Sequence, residues 1–254
     1  MEGAALLERL NHWHLATVRD IHDETPTARS LVLEVPGWPG HRAGQHVDIR
    51  LTAEDGYRAE RSYSIASAPE DPLVTITVEH LPDGEVSPYL TQEVHTGDPI
   101  ALRGPLGGYF VWEIAMGGPL LLLAGGSGIV PLMAMLRHRA AAHASARPPT
   151  RLLYTCRSPD DLFYRQPLDR MAACDATLEI RYAFTRRQPA TWPGLPARLG
   201  AAAIQRFAWP AAAHALAYIC GPSGFVELGA TALADHHYPA ARIHTERFGP
   251  SGTY

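Results

Sequence analysis

Lysine is absent from this chain of 254 residues, so all 22 basic side chains are arginine. Any phosphate held by a cationic side chain must therefore be held by a guanidinium group. Against 26 acidic residues the net charge is −4, which argues against a general nucleic-acid-binding surface. Cysteine is scarce. Cys156, Cys174 and Cys220 are odd in number and widely spaced, which excludes a disulfide framework and leaves no CxxC or four-cysteine pattern for zinc or an iron–sulfur cluster. The histidines are scattered, and neither His12-Trp13-His14 nor His236-His237 has the helical i, i+4 spacing of a metal pair, so no metal site is expected. No apolar run approaches the ~20 residues of a membrane span. Residues Met1 to Asn11 have neither a basic start nor an apolar signal core, which leads us to expect no membrane span and a cytoplasmic location.

What is present falls into two halves. From Trp13 to about Leu102, short strand-like runs (Thr27 to Glu34, Gln45 to Leu51, Arg58 to Ala66, Val74 to Glu79) alternate with the turn signals Pro36-Gly37, Asp55-Gly56, Asp83-Gly84 and Gly97-Asp98. This pattern predicts a small antiparallel barrel. One of the runs ends on Arg61-Ser62-Tyr63-Ser64. In a strand Arg61 and Tyr63 share one face while Ser62 and Ser64 share the other. A planar cofactor carrying a pyrophosphate has a use for each: Arg61 for phosphate, Tyr63 for stacking, and a serine for a ring nitrogen. Alone, the four residues more readily describe a strand with a surface arginine and a half-buried tyrosine, and the rest of the chain has to overturn that reading. Beyond the next strand, Gly84-Glu85-Val86 leads into Ser87-Pro88, which reads as an N-cap and first helical residue of a short helix whose free N–H groups suit an anion. The half closes near the glycine-rich segment Gly104 to Phe110, and Gly117-Gly118-Pro119 reads as a hinge between domains spanning 1–116 and 117–254.

In the second half, the apolar run Leu120 to Ala124 is expected to be a strand buried on both faces. It enters Gly125-Gly126-Ser127-Gly128-Ile129-Val130-Pro131 and then an apolar helical stretch. Strand, glycine turn and helix in that order present backbone N–H groups to a pyrophosphate, and Pro131 is comfortable in a first helical turn. The same loop also describes a plain tight turn. Further strand signals at Arg151 to Cys156, Ala176 to Thr185, Ala215 to Cys220 and Arg242 to Arg247 predict a doubly wound α/β domain with a parallel sheet. Ligands of such sheets sit at the carboxyl ends of strands, which here carry Arg157 and Ser158, then Thr185, Arg186 and Arg187, then Cys220-Gly221-Pro222-Ser223-Gly224.

Together these stretches resemble the ferredoxin-NADP reductase family, and more closely its bacterial oxygenase-reductase modules. Arg61-Ser62-Tyr63-Ser64 is similar to its R-x-Y-S flavin motif and Gly84-Glu85-Val86-Ser87 to its G-x-x-S phosphate motif. Gly126 to Pro131 is similar to its G-x-G-x-x-P nucleotide loop, and Cys220-Gly221-Pro222 to its C-G-P turn. The resemblance implies that Arg61 and Ser87 hold the pyrophosphate of FAD, that Tyr63 packs on the isoalloxazine, and that Ser64 sits near N5. Val78 and His80 would also border the flavin. Cys220 would lie beside the hydride-transfer site, with Glu246 and Phe248 completing that wall. The cysteine-rich stretch of relatives with a fused iron–sulfur domain is missing. The chain continues past Phe248 to Tyr254, so whether Phe248, Tyr254 or neither shields the ring stays open.

The implied activity is hydride transfer from NADPH to FAD, followed by delivery of single electrons to an external acceptor such as a ferredoxin. Ser64, Cys220 and Glu246 would be the catalytic residues. Cys220 would act by shape and soft contact or be a buried structural thiol, and Glu246 would relay a proton or be a surface carboxylate. Thr185-Arg186-Arg187 resembles the Ser/Thr-Arg pair that reads the adenosine 2′-phosphate of NADPH, with Arg157 and Ser158 assisting; solvated loop charges are the alternative. Other functions compatible with the sequence are an NAD(P)H reductase of free flavin or quinone, the reductase subunit of a multi-component oxygenase, and a regulatory subunit that has lost flavin.

Overall fold

The alternating runs of the first half form strands. These are β1 (Trp13–Thr25), β2 (Ala28–Glu34), β3 (His46–Thr52), β4 (Arg58–Ser64), β5 (Val74–Glu79) and β6 (Pro99–Leu106). The computed structural model describes residues 12–189 and 199–248, and Tyr254 lies outside them. All pairings are antiparallel, in the order β4-β3-β6-β1-β2-β5. The two ends of that order meet where Ile65 bridges Ile76 and the Ala66 N–H donates to the Thr75 carbonyl at 2.7 Å, which closes the sheet into a barrel. Leu31, Leu33, Val47, Ile49, Ile76, Val78 and Leu102 fill its interior. Each such side chain contributes about 1.5–3 kcal/mol on burial.

β1 and β6 have no counterpart among the runs expected from sequence. β1 is interrupted by bulges between Val18 and Asp20 and between Asp23 and Thr25, which break its alternation. β6 begins at Pro99 and contains Gly104-Pro105, residues that read as punctuation although the strand lies between β3 and β1.

The second half forms β7 (Leu120–Gly125), α1 (Ile129–Ala141), β8 (Thr150–Cys156), α2 (Arg165–Cys174), β9 (Leu178–Phe184), α3 (Ala201–Phe207), β10 (Leu216–Gly221), α4 (Ser223–Asp235) and β11 (Ile243–Arg247). Its strands are parallel in the order β11-β10-β7-β8-β9, so the direction of winding reverses between β7 and β10. β7 is buried at every residue, as its unbroken apolar run requires. Leu121, Leu123, Leu153 and Ile219 share one core with Ile204 and Phe207 of α3 and Val226 and Leu233 of α4. The chain divides into two compact units, Met1–Trp112 with Met133–His138, and Glu113–Leu132 with Arg139–Tyr254.

One charge cluster fastens the second unit. Arg139 is 1% exposed and spends its guanidinium on the Pro148 carbonyl (2.8 Å), Asp175 Oδ2 (2.8 Å) and Thr177 Oγ1 (2.5 Å). The Asp175 carboxylate also accepts from the Thr177 N–H and hydroxyl, and together with the Arg139 guanidinium these hold its carboxyl well below the ordinary value of 3.8. A carboxylate depressed in this way contributes stability that is complete above its unfolded pKa and is lost as pH falls through the folded one. Asp175→Ala leaves a buried guanidinium without its counter-charge and is expected to cost roughly 3–5 kcal/mol at neutral pH. Denaturant titrations should show the gap between parent and variant constant down to about pH 4 and shrinking below it. A gap independent of pH would assign the loss to packing.

Candidate functional site

β4 sets the first group of residues. Its pairing with β3 places Arg61 opposite Ile49 and Tyr63 opposite Val47, and on the other face Ser62 opposite Asp48 and Ser64 opposite His46. The alternation read from the motif is therefore realised. Among the described residues β5 reaches β4 only at Ile65, so the outer edge of β4 carries no strand along Arg61 to Ser64. Tyr63 is half-buried against the barrel core, and that burial pushes its hydroxyl up to about 12. Ser62 donates to Asp48 (2.6 Å), which also receives Arg103 (2.6 Å), so Ser62 is committed to the sheet. Ser64 differs. It is 5% exposed, and its Oγ has no hydrogen-bond partner. An orphaned buried hydroxyl is costly unless a ligand completes it, and this supports a planar ligand with ring nitrogens at the edge of β4.

Arg61 is exposed and paired with Glu85 at 3.0 Å, and the same carboxylate accepts from the Tyr57 hydroxyl at 2.6 Å. Gly84 ends a turn in which its N–H reaches the Leu81 carbonyl, and a Cβ there would stand 2.8 Å from Ser87 Oγ. The expected Ser87 cap is not formed. The short helix does begin at Ser87-Pro88 and runs on into the π turn Tyr89–Glu93, while Ser87 Oγ turns back to accept from the Leu81 N–H at 3.1 Å because Gly84 leaves room for it. A turn this short offers no helix-terminus anion site. Val78 and Val86, expected at the cofactor, are enclosed in the barrel core at 0% exposure, so they act only through their neighbours. His80 bonds Thr91 Oγ1 at 3.0 Å through its Nδ1.

In the second unit, Gly126-Ser127-Gly128 forms a 3-10 turn leading into α1, with Pro131 in the first turn of the helix. Gly126 has φ +55, which favours glycine. Gly128 is fixed by its neighbour, since a Cβ there would lie 2.2 Å from the Cys220 carbonyl oxygen. A Cβ on Gly221 would in turn lie 2.9 Å from Gly125. The loop after β7 is thus in backbone contact with the end of β10 at the reversal of the sheet, where doubly wound folds bind nucleotides.

Cys220 and Glu246 are register partners on β10 and β11, and two residues earlier on the same strands Tyr218 and His244 stack at 4.7 Å. Cys220 is fully buried, and burial followed by the Glu246 charge raises its thiol well above the ordinary value. It stays protonated and is no nucleophile. Glu246 is half-buried, its Oε2 has no hydrogen-bond partner, and burial pushes its pKa up to about 7. The expectation of a surface carboxylate is not met. Phe248 is held against the same turn by its N–H to the Gly221 carbonyl at 3.0 Å, and Pro222 starts α4.

The ends of β8 and β9 are tied together by main-chain bonds from Thr185 to Cys156 and from Arg186 and Arg187 to Arg157. Three of the side-chain donors expected to read a phosphate are already engaged. Arg157 (2.8 Å) and Ser158 (2.6 Å) both donate to Asp161, and Arg187 pairs with Asp160. Sequence reading missed Asp160, Asp161, Asp48 and Tyr57. Pro159-Asp160-Asp161 directly follows Arg157-Ser158, and that adjacency was the available signal for the first two.

Comparison with known proteins accords with this geometry. Residues 16–111 match the family of oxidoreductase FAD-binding domains and residues 122–230 that of oxidoreductase NAD-binding domains. The chain is 29% identical over 212 residues to the glycine betaine monooxygenase reductase subunit of Pseudomonas aeruginosa, covering 83% of this chain and 57% of that protein. It is 30% identical over 241 residues to the ferredoxin reductase component of 3-ketosteroid-9-alpha-monooxygenase from Mycolicibacterium smegmatis, covering 91% and 64%. The chain thus spans well under two thirds of the former relative's length. The FAD/NAD-binding domain of a nitric oxide dioxygenase from Vibrio cholerae superposes with a TM-score of 0.82 at 26% identity, covering 93% of this chain and 99% of that one. With both domain families in order along one chain and the fold shared throughout, the chain belongs to the ferredoxin reductase family of FAD- and NAD(P)-binding oxidoreductases.

Proposed function

We propose that this protein oxidises NADPH through FAD and delivers electrons to a separate one-electron acceptor protein, a ferredoxin or a component of an oxygenase, in the cytoplasm. Residues 1–116 would hold the flavin and 117–254 the nicotinamide nucleotide. The observation that carries the reading is the buried, unpartnered hydroxyl of Ser64 within an Arg-x-Tyr-Ser strand. The names of the relatives support a protein acceptor.

Bound FAD supplies the chemistry, taking a hydride from dihydronicotinamide and releasing electrons singly. The chain's own groups bind and orient. Arg61 exchanges Glu85 for a diphosphate oxygen, an exchange made easy because the exposed pair is worth under about 1 kcal/mol. Tyr63 would offer its ring and Ser64 would donate to a ring nitrogen. Cys220, protonated and enclosed, shapes the nucleotide side, and Glu246 holds or yields a proton near neutral pH.

FAD added to flavin-free protein should lose fluorescence on binding. Arg61→Ala should weaken that binding by about 10- to 100-fold, the loss of one charge-assisted contact. Absence of quenching in the parent chain would overturn the flavin assignment. Reduction of a panel of ferredoxins and haem proteins by NADPH tests the acceptor, and turnover with free flavin or quinone alone would overturn a protein acceptor. Arg186→Ala should lower the NADPH-to-NADH preference by about 10-fold or more.

Glu246 makes a separate prediction. Its carboxyl titrates at 4.5 when unfolded and at about 7 when folded, so its buried charge destabilises the fold increasingly from pH 4.5 to 7 and by a constant amount above. Glu246→Gln should therefore melt higher than the parent at pH 8, with the difference closing as pH falls to 4.5. An equal melting temperature at pH 8 would place Glu246 in water.

A further inference from the structure

The two carboxylates after β8 are held differently. Asp161 accepts from the Arg157 guanidinium and the Ser158 hydroxyl, and its own N–H returns to the Ser158 carbonyl at 3.1 Å. Its side chain is 26% exposed, so it is a fixed part of the turn. Asp160, one residue earlier, is 68% exposed and among the described residues engages only Arg187, itself 67% exposed. Arg187 is anchored through its main chain to Arg157, beside Arg186, whose N–H makes the same tie at 2.9 Å. Among the described residues no carboxylate pairs with Arg186. The strand ends therefore present three guanidinium groups and two carboxylates, with one carboxylate built in and the other loosely placed on a guanidinium that a ligand could take instead.

We propose that Asp160 is a specificity-determining residue that competes with the adenosine 2′-phosphate of the coenzyme for Arg187, so that it restrains the preference for NADPH over NADH. This inference rests on the nucleotide reading of the second unit. A 2′-phosphate carries up to two negative charges and three acceptor oxygens, and it displaces a carboxylate from an exposed pair. NADH has no such group and leaves the Arg187–Asp160 pair intact. Asp160 thus lowers the affinity for one coenzyme only, and does so through Arg187. The effect is limited to what an exposed pair is worth.

The test is the ratio of kcat/KM for NADPH to that for NADH, with the holoprotein and ferricyanide as acceptor, together with equilibrium titrations of NADP+ and NAD+. Asp160→Asn should raise the ratio by about two- to fivefold through the NADPH arm alone, and Asp160→Glu should restore the parent value. In an Arg187→Ala background, Asp160→Asn should change nothing. An Asp160→Asn effect that persists undiminished without Arg187 reports a long-range field and overturns the proposal, as does an equal change for both coenzymes. If the parent chain instead uses both coenzymes equally and Arg186→Ala leaves that ratio unmoved, the NADPH reading itself fails.

Discussion

The second unit depends on one close approach, that of the loop after β7 to the end of β10. At Gly128 even a methyl group would stand 2.2 Å from the Cys220 carbonyl, and at Gly221 it would stand 2.9 Å from Gly125. Neither can change without moving the other. The glycines that expose main-chain N–H groups at the start of α1 therefore also fix where Cys220 sits. Cys220 in turn fixes Glu246 through the β10–β11 register. Three features far apart in sequence are one rigid object because two backbones touch without side chains between them.

The exclusive use of arginine gives the exposed charges a common style. Arg61 rests on Glu85 and Arg187 on Asp160 in exposed pairs, while Arg157 rests on an Asp161 that is built into its turn. A guanidinium cannot shed its proton, so a chain without lysine can tune such groups only by giving them carboxylate partners. Exposed pairs of this kind contribute little to stability and exchange readily. They keep cationic positions oriented without making the fold depend on them. The Arg139–Asp175 cluster uses the same chemistry to the opposite end: buried and saturated with hydrogen bonds, it fastens α1 to the loop before β9.

Much of this was legible in the sequence. The strand Arg58–Ser64 and its two faces follow from alternation alone, and β7 with its glycine loop follows from an unbroken apolar run meeting Gly125-Gly126. β1 and β6 were hidden because bulges and Gly104-Pro105 interrupt their period, although both lie inside the sheet. Ser87-Pro88 carried a helix-start signal and a short helix does start there, but its side-chain cap was not legible because Ser87 Oγ bonds back to the Leu81 N–H of the preceding turn. The pairing of Arg187 with Asp160 needs the ends of β8 and β9 to lie side by side, which no local pattern encodes. The raised pKa of Glu246 is likewise a property of its burial, not of its place near the end of the chain.

Two kinds of polar group remain distinct in this fold, and the distinction orders their roles. Ser64 Oγ and Glu246 Oε2 are buried and without partners, so each lowers stability by the desolvation of an unsatisfied group. Such groups persist where a bound molecule completes them or where a displaced pKa is used. Arg157 and Arg187 at the strand ends are exposed and paired, and they lower stability hardly at all. A ligand that engages both kinds meets cheap exchange at its charged end and a group already stripped of water at its reactive end. Asp160 lies exposed in the turn after β8, whereas Cys220 and Glu246 are paired in register on β10 and β11, so the fold keeps the exposed charges and the buried pair on separate elements and in different dielectric surroundings.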